Sequence, residues 1–97
     1  MLQKTEFIWF DGKLVPWDQA QVHVLAHGLH YGTGVFEGIR AYACPDGSSA
    51  VFRLPEHSKR LVNSAKILGI NMPYTADEIS KAIVETVVAN KLSEGYI

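Results

Sequence analysis

The stretch from His30 to Tyr42, reading HYGTGVFEGIRAY, constrains this chain more than any other. Gly32 and Gly34 permit backbone angles that a side chain forbids, while Val35, Phe36, Ile39 and Tyr42 favour an extended, pleated run. The stretch therefore predicts a flexible lead into a strand. Alternation along it puts Phe36, Gly38 and Arg40 on one face and Val35, Glu37, Ile39 and Ala41 on the other. The Phe36, Gly38 and Arg40 face combines apolar surface, a gap at the glycine and a fixed positive charge, which suits a bound organic anion. An ordinary half-buried strand with one exposed arginine has the same pattern, because a lone Gly-x-Gly is a weak sign of a phosphate site.

Elements on either side supply the rest of a small domain. Phe7 to Phe10 and Lys13 to Pro16 flank Asp11-Gly12, a pair suited to the positive φ angles of a two-residue hairpin turn. A short helical turn is expected at Trp17 to Ala20. Beyond the central strand, the turn cluster Pro45 to Ser49 precedes a returning strand, Ala50 to Arg53, which gives a second hairpin. A helix then starts at Leu54-Pro55-Glu56, where proline fits the first turn and Glu56 complements the helix dipole, and it ends at Gly69. His57, Leu61, Ala65 and Leu68 form its expected buried stripe, with Asn63 and Lys66 in water. Arg60 lies at the edge of that stripe, where it pairs with Glu56 at i,i+4 or reaches a ligand in front of the sheet. Thr75 and Glu78 form a capping box, with Tyr74 and Ile79 as a hydrophobic staple. The second helix is expected to run to about Asn90, burying Ile79, Ala82, Ile83 and Val87 and leaving Ser80, Lys81 and Glu85 wet. Tyr96-Ile97 read as the first residues of a further strand. The pattern predicts an α+β fold: one antiparallel sheet from two hairpins, covered on one face by two α-helices.

His23, His27 and His30 recur at spacings of four and three, and two histidines on one helical turn can ligate zinc. A site needs further ligands and a helix that holds the spacing, and Gly28 argues against that helix. Packed-loop polar contacts are the expected role, and no metal site is expected.

At 97 residues the chain is one small domain with a modest core and little room for a complete enzyme. Its net charge is -1, and its nine lysines and arginines are scattered rather than clustered, so nucleic acid and anionic membranes are not expected partners. No apolar run approaches the ~18 residues that span a bilayer. One cysteine, Cys44, closes no intrachain disulfide, and a cytoplasmic location is expected.

Ile8 to Gly12, Val22 to Val24, His30 to Arg40 and Phe52 to Leu61 together closely resemble the N-terminal part of bacterial branched-chain amino acid aminotransferases, pyridoxal-phosphate enzymes of fold type IV. The resemblance covers essentially the whole chain, and Tyr-Gly-x-x-Val-Phe-Glu-Gly-Ile-Arg is its most specific string. It implies that residues 1–97 are the small N-terminal domain of such an enzyme, with pyridoxal 5'-phosphate as cofactor and an amino acid and a 2-oxo acid as substrates. It further implies that Arg60 holds the cofactor phosphate, a fit for a planar, permanently charged fork on a dianion. Phe36 and Gly38 match the pocket for the branched side chain. Tyr31 matches a residue reaching the neighbouring subunit's pocket, which implies a homodimer, and Tyr96 matches one near the substrate carboxylate. Arg40 carries no firm role and is taken as structural. The family's lysine that links covalently to the cofactor belongs to a C-terminal domain absent from this chain, so no catalytic residue is expected here and the 97 residues alone are expected to be inactive. The arginine that usually follows Tyr96-Ile97 is also absent. D-amino acid transaminases and aminodeoxychorismate lyases share the plan and are the nearest competitors. A free-standing, non-catalytic binding or assembly domain is the alternative from another class.

Overall fold

The computed structural model describes residues 3–97. Strands β1 (Phe7–Phe10) and β2 (Lys13–Pro16) pair antiparallel, with Phe7 opposite Pro16 and Phe10 opposite Lys13. The turn is the expected one: Asp11 and Gly12 have φ of 53° and 93°. One turn of 3₁₀ helix, Trp17–Gln19, follows as expected, and the Trp17 N–H donates to the Glu6 carbonyl at 3.0 Å.

The hairpin is tied to helix α3 (Ala76–Ala89) at both of that helix's ends. At the N-terminal end the Tyr74 ring meets Trp9 edge-on at 5.2 Å, and its hydroxyl lies where a Cβ on Gly12 would be only 2.8 Å away. At the C-terminal end the Asn90 side chain brackets Phe7. Its Oδ1 accepts from the Phe7 N–H at 2.8 Å and its Nδ2 donates to the Phe7 carbonyl at 3.0 Å. This satisfies both backbone groups of a residue at the start of the hairpin, groups that are costly to bury unpaired.

Helix α2 (Leu54–Ile67) packs along α3. Both ends of α3 and the C-terminus of α2 follow local rules. The capping box is formed, with the Glu78 N–H donating to Thr75 Oγ1 at 3.2 Å and the Thr75 N–H to Glu78 Oε1 at 3.3 Å. Helix α2 closes in a Schellman motif: Gly69 at φ 71° donates to the Lys66 carbonyl, and Ile70 donates to that of Ala65. Lys91, at φ 52°, closes α3 through the same pair of bonds, Lys91 to Val88 and Leu92 to Val87. The α2–α3 seam differs from the sequence expectation. Ala65 is buried, but Leu68 is exposed because α2 has already ended at Ile67. Ser58 is fully buried instead, and its hydroxyl bonds that of Ser80 at 2.7 Å, so Ser80 faces the seam rather than water. Ile79, Ala82 and Val87 are buried as expected.

The α+β class stands, but the two hairpins do not join. They lie in separate sheets, the second a three-stranded one in which β3 (Arg40–Ala43) sits between β4 (Ser49–Val51) and β5 (Gly95–Tyr96). Ala41 pairs with Val51 on one side and Gly95 on the other, and is fully buried. Strand β4 stops before Arg53, whose φ of 54° turns the chain into α2. The central strand is also shorter than expected. Ladder pairing begins at Arg40, and residues 35–38 have no partner strand among the described residues. Upstream, the histidine segment makes one helical turn, α1 (His27–Tyr31), closed by Gly32 at φ 66°. Gly28 is tolerated because one turn is all that forms. Among the described residues, no helix is long and apolar enough to cross a membrane.

Candidate functional site

The unpaired run into β3 keeps the alternation of a strand, and its two faces differ sharply. Ile39 and Ala41 are buried, whereas Phe36 is 88% exposed on the opposite face. Between them on the buried side stands Glu37, its side chain only 6% exposed. A carboxylate so placed requires charged or hydrogen-bonding partners. Helix α2 supplies two, one turn apart. Arg60 donates from Nε to Oε2 and from Nη2 to Oε1, both at 2.8 Å, and His57 Nδ1 lies 2.7 Å from Oε1. The Arg60 fork, followed by the His57 bond, holds the Glu37 carboxyl down at about 2, and the Arg60 pKa is raised in turn. Glu37 is therefore an acceptor at neutral pH, and His57 carries its proton on Nδ1.

Arg60 does not make the i,i+4 pair with Glu56 that the sequence allowed. Its partner is Glu37 rather than Glu56, which instead lies 3.8 Å from Arg53. The Arg60 side chain nevertheless remains two-thirds exposed, and its Nη1 has no hydrogen-bond partner among the described residues. Glu37 occupies the Nε–Nη2 edge, so the Nη1–Nη2 edge is left for a second anion.

The other face gathers Phe36, Gly38, Arg40 and Tyr96. Tyr96 is the β5 residue opposite Arg40, and the Arg40 guanidinium lies 5.1 Å from the Tyr96 ring centre and 5.6 Å from that of Tyr42. Arg40 is therefore held between two rings, which agrees with a structural role. Gly38 has no positive φ, and a methyl group placed on it would meet no atom within 4 Å. Nothing in the chain's own packing calls for glycine there, so the space in front of it is free for a ligand. Tyr31 stands apart on α1, where its ring neighbours are His27 at 4.5 Å and His30 at 6.3 Å, and it is largely exposed.

The three histidines each have a local partner: His23 Nδ1 accepts from the Leu25 N–H, His27 Nδ1 meets the Thr33 hydroxyl, and His30 Nε2 donates to the Val24 carbonyl at 2.7 Å. Among the described residues, no three His, Cys, Asp or Glu side chains converge as a metal site. Sequence reasoning missed Glu37 as the residue that holds Arg60. The signal was its parity with Ile39 and Ala41, which put a carboxylate on the buried face.

Residues 34–97 match the family model described as amino-transferase class IV. The chain is 50% identical over all 97 residues to a branched-chain-amino-acid aminotransferase of Pseudomonas aeruginosa. It superposes with a TM-score of 0.90 and 52% identity on 31% of a branched-chain aminotransferase of Thermoproteus uzoniensis solved with norvaline, which covers 95% of this chain. A further solved relative, the branched-chain amino acid aminotransferase of Thermobaculum terrenum in its PLP form, gives a TM-score of 0.87 at 32% identity over 98% of this chain and 32% of its own. The chain spans about 30% of the length of the curated relatives it matches.

Proposed function

The chain belongs to the class IV aminotransferase family, and from that premise we propose that the protein carrying it is a branched-chain amino acid aminotransferase. Residues 1–97 form the small N-terminal domain of that enzyme and one wall of its site. The observation that carries the reading is the pairing of two features across one short segment. Glu37 turns toward α2 and holds a guanidinium with a free edge, while Phe36 and the open Gly38 turn the other way.

Pyridoxal phosphate, when bound, supplies the electron sink that lets an amino group move between an amino acid and a 2-oxo acid. The residues here fit part of that requirement. Arg60 binds the phosphate through its Nη1–Nη2 edge. Phe36 and Gly38 take the apolar side chain of leucine, isoleucine or valine. Apolar contact of this kind separates related side chains by about 1–3 kcal/mol per methylene. Tyr96 lies beside the substrate carboxylate, and Tyr31 projects into the site of a partner subunit in a homodimer. None of the residues placed at the site here is given the proton-moving role or that of the acid at the cofactor ring. A cytoplasmic location agrees with the lone free thiol, Cys44.

The test uses the full-length protein with pyridoxal phosphate, leucine and 2-oxoglutarate. Amino transfer and a yellow, cofactor-loaded protein are expected. Arg60→Ala should weaken cofactor retention about 10- to 100-fold, the worth of hydrogen bonds to a charged group. Undiminished retention in that variant would overturn the phosphate role. Activity confined to D-amino acids or to aminodeoxychorismate would move the protein to a neighbouring member of the family.

A further inference from the structure

Arg60 sits on a helix face with two-thirds of its side chain in water, and a long side chain so placed samples many rotamers. Here it does not. Both N–H groups of its inner edge are engaged by Glu37, whose other support is His57 one turn earlier on the same helix. Glu37 is itself fixed because Ile39 and Ala41 anchor the buried face of its segment. We propose that Glu37 is a positioning residue for the phosphate of the cofactor: it aims the Nη1–Nη2 edge of Arg60 at the site, with His57 holding Glu37 in place. This inference rests on the proposed function, since it presumes that Arg60 meets a phosphate.

Two effects of Glu37 oppose each other. Its charge repels the phosphate dianion on the far side of the fork, which over ~6 Å in water amounts to roughly a tenfold loss of affinity. Its orientation of Arg60 spares the ordering of a free arginine, roughly a thirtyfold gain if all of that rotamer freedom were otherwise lost. Orientation outweighs repulsion, so removing the fork acceptor weakens phosphate binding even though it removes a negative charge. Glutamine is the informative replacement. It keeps the shape of Glu37 but offers one acceptor oxygen and one donor NH₂, so it cannot accept both N–H groups of Arg60.

The experiment measures dissociation constants by absorbance on the full-length protein, for pyridoxal phosphate and for pyridoxal, which lacks the phosphate. The variants are Glu37→Gln, Arg60→Ala and the double variant. Expected for Glu37→Gln is about a threefold weaker hold on pyridoxal phosphate, the net of the two effects above, with pyridoxal unchanged. In the Arg60→Ala background the same change should weaken binding no further and should tighten it by up to about tenfold, because only the repulsion is left to remove. Equal losses with both ligands, an additive double variant, or an unchanged constant for Glu37→Gln would each overturn the positioning role. An unchanged constant for Arg60→Ala alone would instead overturn the phosphate reading beneath it. His57→Phe supplies a milder check that keeps the Glu37–Arg60 pair and removes the donor to Glu37. It should weaken pyridoxal phosphate by at most about twofold, the loss of one supporting hydrogen bond at a partly exposed site, and leave pyridoxal unchanged. A loss of the same size with pyridoxal overturns the role of His57.

Discussion

The β1–β2 hairpin with its two helices and the run from Val22 to Gly38 are built on opposite terms. The first region closes on itself. Its turn has the residues its angles require, both ends of α3 and the C-terminus of α2 are capped, and Asn90 and Tyr74 fasten the hairpin to α3. The second has one helical turn and no ladder, and it leaves Val22, Val24, Leu25, Leu29, Tyr31 and Phe36 exposed. Both regions are rich in apolar residues. The difference is that in the first Val15, Ala65, Ile79, Ala82 and Val87 are buried within the chain, with Ile67, Leu68, Val84 and Val88 left exposed, whereas in the second the large apolar side chains are mostly exposed and available to whatever the protein binds.

The strongest way to break this contrast is in the α3 core. Ile79 is buried at the start of that helix, and Ile79→Ala should cost about 2–4 kcal/mol of stability, read by urea unfolding of the full-length protein. A loss below about 0.5 kcal/mol, the usual range for surface changes, would mean that the hairpin-and-helix region is not the rigid half.

Glu37 ties the second region to helix α2 of the first, and it gives a pH test. Its carboxyl is lowered from 4.5 to about 2 by Arg60 first and His57 second. A group whose pKa is depressed by folding stabilises the fold above its unfolded value and loses that contribution as pH falls through its folded value. The stability supplied by Glu37 is therefore complete above pH 4.5 and disappears toward pH 2. Its size should be about 1 kcal/mol, because the exposed Arg60 leaves the pair screened by water. Acid unfolding followed in parallel for the native protein and Glu37→Gln should show the two curves converging across that window. Parallel curves would show that the segment is not held by this carboxylate.

The same division decides what was legible in the sequence. Asp11-Gly12, the Thr75–Glu78 box and Gly69 are local signals, each satisfied within a few residues, and each appears where it was expected. Leu68 failed because helical spacing says which positions share a face but not where the helix stops facing its neighbour. The strand from Val35 was overextended because β propensity describes a residue's fit to a sheet, and pairing needs a partner strand that propensity does not supply. Within the site, alternation placed Phe36, Gly38 and Arg40 together correctly. It left Glu37 unassigned, because its partners lie 20 and 23 residues away on another element.

The small effect on stability expected at Phe36 tests the exposed region most directly. A ring that is 88% exposed contributes little to folding, so Phe36→Ala should change stability by less than about 0.5 kcal/mol. If the ring lines the pocket for a branched side chain, the loss appears in function instead. The same variant should lower kcat/KM for leucine by about 10- to 200-fold while leaving it far less changed for alanine, whose methyl group does not reach the ring. Gly38→Ala refines the point, since a methyl group there meets nothing within 4 Å in the fold. It should leave stability unchanged and penalise larger side chains more than smaller ones. A Phe36→Ala protein that unfolds readily, or that loses leucine and alanine turnover equally, would show that this residue belongs with the self-closed half of the molecule and that the pocket lies elsewhere.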